Sequence, residues 1–138
     1  MKWWDVVYKT IKVGDSLFTP GRGLDGGNKR KPFKIIKKLT DRINVQSGSY
    51  LIPLGKACFD VVEEAFTDNP HLWLRVASIK EIPALRGSAD ELIRKRTASN
   101  LARGNYVCSI LEYCSLVHYQ MQGNRKGIIL ASKINNSL

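Results

Sequence analysis

Long hydrophobic runs are missing from this chain of 138 residues. No stretch approaches the ~18 consecutive apolar residues that a membrane-spanning helix needs. The start, MKWWDVVYKT, lacks the apolar core and the small-residue cleavage site of a signal peptide. A soluble, cytoplasmic protein with no membrane partner is expected. Cysteine is scarce: Cys58, Cys108 and Cys114 are an odd number without a C-x-x-C pair, and the two histidines, His71 and His118, lie far apart. That pattern argues against a disulfide framework and against a zinc site of ordinary spacing. The thiols read as reduced packing groups, and no metal or cofactor is expected. Internal repeats and low-complexity tracts are also lacking.

Acidic residues are few, and here the sequence becomes informative. Twenty-two Lys/Arg face twelve Asp/Glu, a formal net charge of +10. The excess sits at the two ends, with +7 over residues 1–54, −1 over 55–87 and +4 over 88–138. Such a balance favours a polyanionic partner, nucleic acid above all.

Along the chain, TIKVGDSLFT alternates around Gly14-Asp15, and FKIIKKL and RINVQS are β-rich segments separated by Thr40-Asp41. Gly48-Ser49 leads into YLIPL. Three or four short strands in this order predict a small antiparallel unit that needs a covering helix. KACFDVVEEAF supplies one: Phe59, Val62 and Phe66 form a helical stripe, with Asp60, Glu63 and Glu64 largely opposite. HLWLRVASIKEI reads equally as a buried helix or a strand, and Pro83 and Gly87 bracket a linker. Trp3, Trp4 and Tyr8 fit a core role beneath the sheet better than base stacking.

GRGLDG, residues 21–26, spells G-x-G-x-x-G. A dinucleotide site needs a helix opening directly after that motif. The next residues are instead GNKRKPF, three consecutive cations and a proline leading into a strand. The segment therefore reads as a long basic loop, with Arg22, Lys29, Arg30 and Lys31 against Asp25, suited to tracking a phosphate backbone.

From Gly87 the order of elements is more specific. Ser88-Ala-Asp-Glu91 is a capping box opening a short helix that ends in Arg94, Lys95 and Arg96. SNLARGNYVCSILEYC predicts a second helix capped by Ser99, with Leu101, Val107, Ile110, Leu111 and Cys114 inward and Asn100, Arg103, Asn105 and Ser109 outward. Gly104 inside it costs about 1 kcal/mol relative to alanine unless a close approach requires it. SLVHYQM, a turn over Gln122–Lys126, and GIILAS then predict a β-hairpin with a basic tip. Helix, turn, helix and hairpin over residues 87–132, and NYVCSILEYCSLVHYQMQGNRKGIIL in particular, resemble the winged helix-turn-helix. The resemblance implies duplex DNA binding. Asn100, Arg103 and Asn105 would face bases, which arginine and asparagine can contact in bidentate fashion. Arg125 and Lys126 on the hairpin, and Arg94, Lys95 and Arg96, would contact phosphates. Homodimers are common in that family, although no sustained heptad is present here.

Catalysis is the weaker reading. Cys108 or Cys114 with His118 would make a thiol nucleophile, but Cys114 falls on an apolar face. A metal-dependent nuclease needs clustered carboxylates, and the densest set is Asp60, Glu63 and Glu64. A metal-free ribonuclease built on His118 also remains open, as does a protein-interaction module with incidental charge. The expected protein is α+β: a β-rich unit with one helix over residues 1–70, a linking segment 71–86 and a winged-helix-like unit 87–138. Its expected role is that of a small DNA-binding regulator or accessory factor.

Overall fold

A computed structural model describes residues 2–21 and 30–131. The architecture is mixed α+β, with a helix before a sheet and then further helices and strands. Helix α1 (Trp3–Thr10) buries Trp3, Trp4 and Val7, one turn apart, and Ile11 just beyond its end. Its own N-terminus lacks a side-chain cap. Glu63 supplies one from elsewhere in the chain, accepting from the Trp3 backbone N–H at 2.8 Å. An anion at that end also complements the helix dipole.

Strands β1 (Ser16–Phe18), β2 (Pro32–Leu39), β3 (Arg42–Ser47) and β4 (Tyr50–Gly55) form an antiparallel meander in the order β1-β2-β3-β4. The turn before β1 is closed by Asp15, whose carboxylate accepts from the Lys12 N–H at 2.9 Å, with Gly14 at φ +96°. Alternation decides the two faces. Leu17, Phe33, Ile35, Ile43, Val45, Ile52 and Leu54 are buried, and their neighbours are largely open. A register shift between Ile35 and Lys37 turns Lys38 inward, where its ammonium reaches the Tyr8 carbonyl and ring at the end of α1.

Helix α2 (Lys56–Asp68) continues from β4 without a break and lays Cys58, Phe59, Val62 and Phe66 against α1 and the sheet. Phe59 meets Trp4 at 5.5 Å and Phe66 meets Trp3 at 5.8 Å between ring centres. The expected anchoring of the N-terminal aromatics in the core is what the structure has.

HLWLRVASIKEI is neither a helix nor a full strand. Only Leu74–Arg75 form a strand, β5, which pairs antiparallel with Ile128 and Gly127. Trp73 sets this geometry: its indole lies so close over Gly127 that a Cβ there would fall 2.2 Å from the ring, and its Nε1 donates to the Gln120 carbonyl. Helices α3 (Ala89–Thr97) and α4 (Gly104–Tyr113) and the hairpin β6 (Val117–Gln122) and β7 (Arg125–Leu130) complete the chain, with a second sheet in the order β5-β7-β6. One cluster of buried apolar side chains runs from Trp3 to Ile128 across both sheets.

The capping box forms as expected: Ser88 Oγ accepts from the Glu91 N–H at 3.0 Å, while Glu91 returns to the Gly87 N–H rather than to Ser88. The second helix differs. It starts at Gly104, five residues later than Ser99, which instead accepts from the Leu101 N–H in a loop. Leu101 is consequently exposed. Asp90 causes the late start. It is fully buried, and its Oδ1 accepts from the backbone N–H groups of both Arg103 and Gly104, at 2.9 and 3.0 Å. A Cβ at Gly104 would lie 2.8 Å from the Asp90 Cβ and 2.9 Å from its backbone nitrogen, so the close approach requires glycine. Gly104→Ala, which helix propensity alone would favour by about 1 kcal/mol, should destabilise the protein by about 1–3 kcal/mol through overpacking. Urea unfolding of the two proteins measures the sign directly.

Candidate functional site

The structure sorts the cations expected at a nucleic-acid surface into two groups. Arg94, Arg103 and Lys126 are buried. Arg94 pairs with Asp90 at 2.9 Å and donates to the carbonyls of Ile79 and Glu81, fastening the irregular segment after β5. Arg103, expected on an exposed row, points its guanidinium at Thr97 Oγ1 (2.6 Å). Lys126, expected at a solvated hairpin tip, donates to the Pro20 carbonyl at 2.7 Å and lies 4.6 Å from the Tyr119 ring centre. Buried cations have partners because desolvating an unpaired charge costs several kcal/mol. Their bonds join elements of the fold.

The others remain accessible. Arg125 is exposed in the hairpin. Lys95 and Arg96 are exposed on α3, with Arg96 paired to Glu64 across to α2. Asn100 is exposed in the loop before α4, and Asn105 is half-buried with its N–H on Ser78 Oγ. Arg30 stacks its guanidinium 4.5 Å from the Phe18 ring centre, and Lys31 is exposed beside Thr19. Arg22 and Lys29, with most of the G-x-G-x-x-G segment, lie outside the described residues. The element after that segment is the strand β2.

Helix α4 is covered on two sides. Val107, Cys108, Ile110 and Leu111 face the common core. Its other side meets the N-terminal sheet: the Tyr106 ring sits edge-on to Phe33 at 5.1 Å, and Ser109 Oγ donates to the Phe18 carbonyl. Ser109 was expected outside and is buried, because edge strand β1 lies across it. Only the C-terminal end of the helix, at Glu112 and Tyr113, is open.

Two surfaces emerge that the linear reading did not single out. The first is the outer face of the meander. The register aligns Ser16, Lys34, Gln46 and Leu51 in one row and Lys37, Asn44 and Pro53 in the next, with Arg42 beyond. Lys34, Lys37 and Arg42 are exposed, and these rows hold no carboxylate. The alternation of RINVQS and of Phe33-Lys34-Ile35 was the available signal, while Lys37 reaches this face only through the register shift after Ile35. The second is a cavity of about 330 Å³ between β1, α4 and the hairpin, lined among others by Phe18, Arg30, Glu112, Tyr113, Tyr119 and Lys126. A shallower hollow is lined by Ser16, Lys34 and Gln46, so Ser16 borders both. Burial pushes the Tyr119 phenol well above its usual range, with the nearby Glu112 carboxylate adding to the effect. It stays neutral at any physiological pH.

The acidic side chains weighed for catalysis are engaged elsewhere in the fold. Of the acidic set, Asp60 pairs with Lys56, Glu63 caps α1 and Glu64 pairs with Arg96. Among the described residues no three His, Cys, Asp or Glu side chains are grouped to hold a metal ion, and no helix is long and apolar enough to cross a membrane. Burial raises all three thiols, Cys114 to about 11. No protein-family model, curated protein or solved structure matches the chain.

Lys126→Ala should lower unfolding stability by about 2 kcal/mol, the scale of a lost hydrogen bond to a charged group, while Arg125→Ala should leave it within about 0.5 kcal/mol. Thermal unfolding of both variants separates the buried cation from the exposed one. Alkylation of Cys114 should accelerate about tenfold per pH unit from pH 7 to 10, without the levelling near 8.5 of an ordinary thiol. A plateau below pH 10 in a Cys58→Ala/Cys108→Ala background would contradict that assignment.

Proposed function

We propose that this chain binds nucleic acid, duplex DNA in the first instance, as a small regulator or accessory factor. The observation that carries the reading is the outer face of the four-stranded sheet, where Lys34, Lys37 and Arg42 stand among Ser16, Asn44 and Gln46 with no carboxylate between them. Cations placed this way release condensed counterions from a phosphate backbone, a term that acts on any sequence. Exposed Arg30 and Lys31 extend the surface past β1, and Arg125 adds a cation from the hairpin.

The order of the C-terminal elements supports a winged-helix relationship. Helix α2 would be the counterpart of the longer first helix that such units pack behind their helix pair, and Arg96–Glu64 ties it to α3. Strand β5, helices α3 and α4 and the β6–β7 hairpin come next, with β5 beside β7. In this chain, however, α4 carries the N-terminal sheet. The phosphate-binding role therefore falls to the sheet face and the hairpin, and base reading by Asn100, Arg103 and Asn105 is not part of the proposal.

Salt dependence tests the reading. Duplex binding should weaken steeply between 50 and 200 mM salt, and Lys34→Ala/Lys37→Ala/Arg42→Ala should reduce the slope of log affinity against log salt by about 3. All three side chains are exposed, so the variant should keep its fold. Absence of duplex binding at 50 mM salt, or an unchanged slope, would refute the proposal.

A further inference from the structure

We propose that the cavity between β1 and α4 accepts one unpaired nucleobase, preferentially guanine, from a strand lying on the cationic sheet face. The inference rests on the nucleic-acid reading and adds a ligand class to a pocket that reading does not use.

Position comes first. The shallow hollow over Lys34 and Gln46 and the deeper cavity share Ser16 on edge strand β1. A backbone held by Lys34 and Lys37 is thus led across Ser16 to the cavity mouth. There Arg30 lies against Phe18, where its guanidinium can meet the phosphate of a displaced nucleotide. At about 330 Å³ the cavity is at the small end of the ~300–1,000 Å³ range of ligand sites, suited to one base rather than several.

The lining determines the chemistry. Phe18 and Tyr113 are 44% and 50% exposed and both line this one cavity, whereas Trp3, Trp4, Phe33, Phe59 and Phe66 are buried. Aromatic rings in nucleic-acid sites stack on bases, with about 1–3 kcal/mol per base lost on alanine substitution. The exposed acceptor among the hydrogen-bonding groups sets the edge the ligand presents. Ser109 Oγ gives its proton to the Phe18 carbonyl, and Lys126 is turned to the Pro20 carbonyl and the Tyr119 ring. Glu112 is exposed, can only accept in its ionised form, and makes no ion pair among the described residues. Guanine presents N1–H and N2–H₂ side by side and can meet both carboxylate oxygens. Thymine has a single N–H and cannot.

The test uses the full chain and a labelled duplex carrying a single-nucleotide 3′ overhang of guanine, thymine or an abasic residue, with the blunt duplex as reference. Affinity is read by fluorescence anisotropy. Guanine should bind about tenfold tighter than the abasic overhang, and tighter than thymine. Tyr113→Ala should collapse the ratio of guanine to blunt affinity towards one. Glu112→Gln should abolish the discrimination between guanine and thymine while keeping stacking. Both residues are exposed, and circular dichroism of each variant confirms folding. If guanine, abasic and blunt duplexes bind alike, the cavity assignment is overturned while the cationic face stands. If none binds at 50 mM salt, both are overturned. A guanine preference that survives Tyr113→Ala and Glu112→Gln places the base elsewhere and also overturns the assignment.

Discussion

The C-terminal half of the molecule depends on one buried carboxylate. Asp90 sits in the first turn of α3, where the helix dipole favours negative charge, yet it is fully removed from solvent. Its two oxygens are divided between tasks. One receives the first N–H groups of α4, and the other holds the Arg94 guanidinium, which reaches on to the backbone carbonyls of Ile79 and Glu81. A single side chain thereby fixes the angle between α3 and α4 and anchors the irregular segment leading from β5. Such a network is costly to leave half-satisfied. This is why the approaching residue is glycine and why the paired cation cannot also serve at the surface.

The same constraint explains what could be read from the linear sequence. Local signals survived: the strands of the meander and its two-residue turns, the stripe of α2, the S-x-x-E box and the terminal hairpin are all set by neighbours within a few residues. The start of α4 did not, because its cap is a side chain fourteen positions upstream, and Ser99 offered a stronger local signal. HLWLRVASIKEI was ambiguous for a related reason. Its two-residue strand exists only because the β7 edge and Gly127, more than fifty positions away, accept Leu74 and the Trp73 indole.

Charge was legible in total and misleading in detail. The arginine and lysine side chains expected at a nucleic-acid surface are divided by burial, with Arg94, Arg103 and Lys126 joining elements and Lys95, Arg96 and Arg125 open. Lys34, Lys37 and Arg42, which were not singled out, also stand open. Linear charge density cannot distinguish these cases. Strand alternation does so for Lys34, which lies between the buried Phe33 and Ile35, but Lys37 shares their parity and reaches the outer face only through the register shift after Ile35. The cationic face was therefore only partly present in the sequence pattern, and it needed the shifted pairing register to place Lys37 opposite Asn44 on the same face as Lys34 opposite Gln46.

Packing the N-terminal sheet onto α4 has a consequence for recognition. A helix in contact with Phe33 and Phe18 on one side and the core on the other cannot lie in a groove. The phosphate contacts proposed for the sheet face would position a partner but carry no sequence information. If the protein discriminates among nucleic acids, the discrimination must come from groups near that face that are polar, accessible and directional. The C-terminal end of α4 meets this requirement where it opens beside β1, with the Glu112 carboxylate and the Tyr113 ring standing at the edge of the cationic surface. The contact that closes one face of the helix thus leaves its last turn as the place where selectivity can reside.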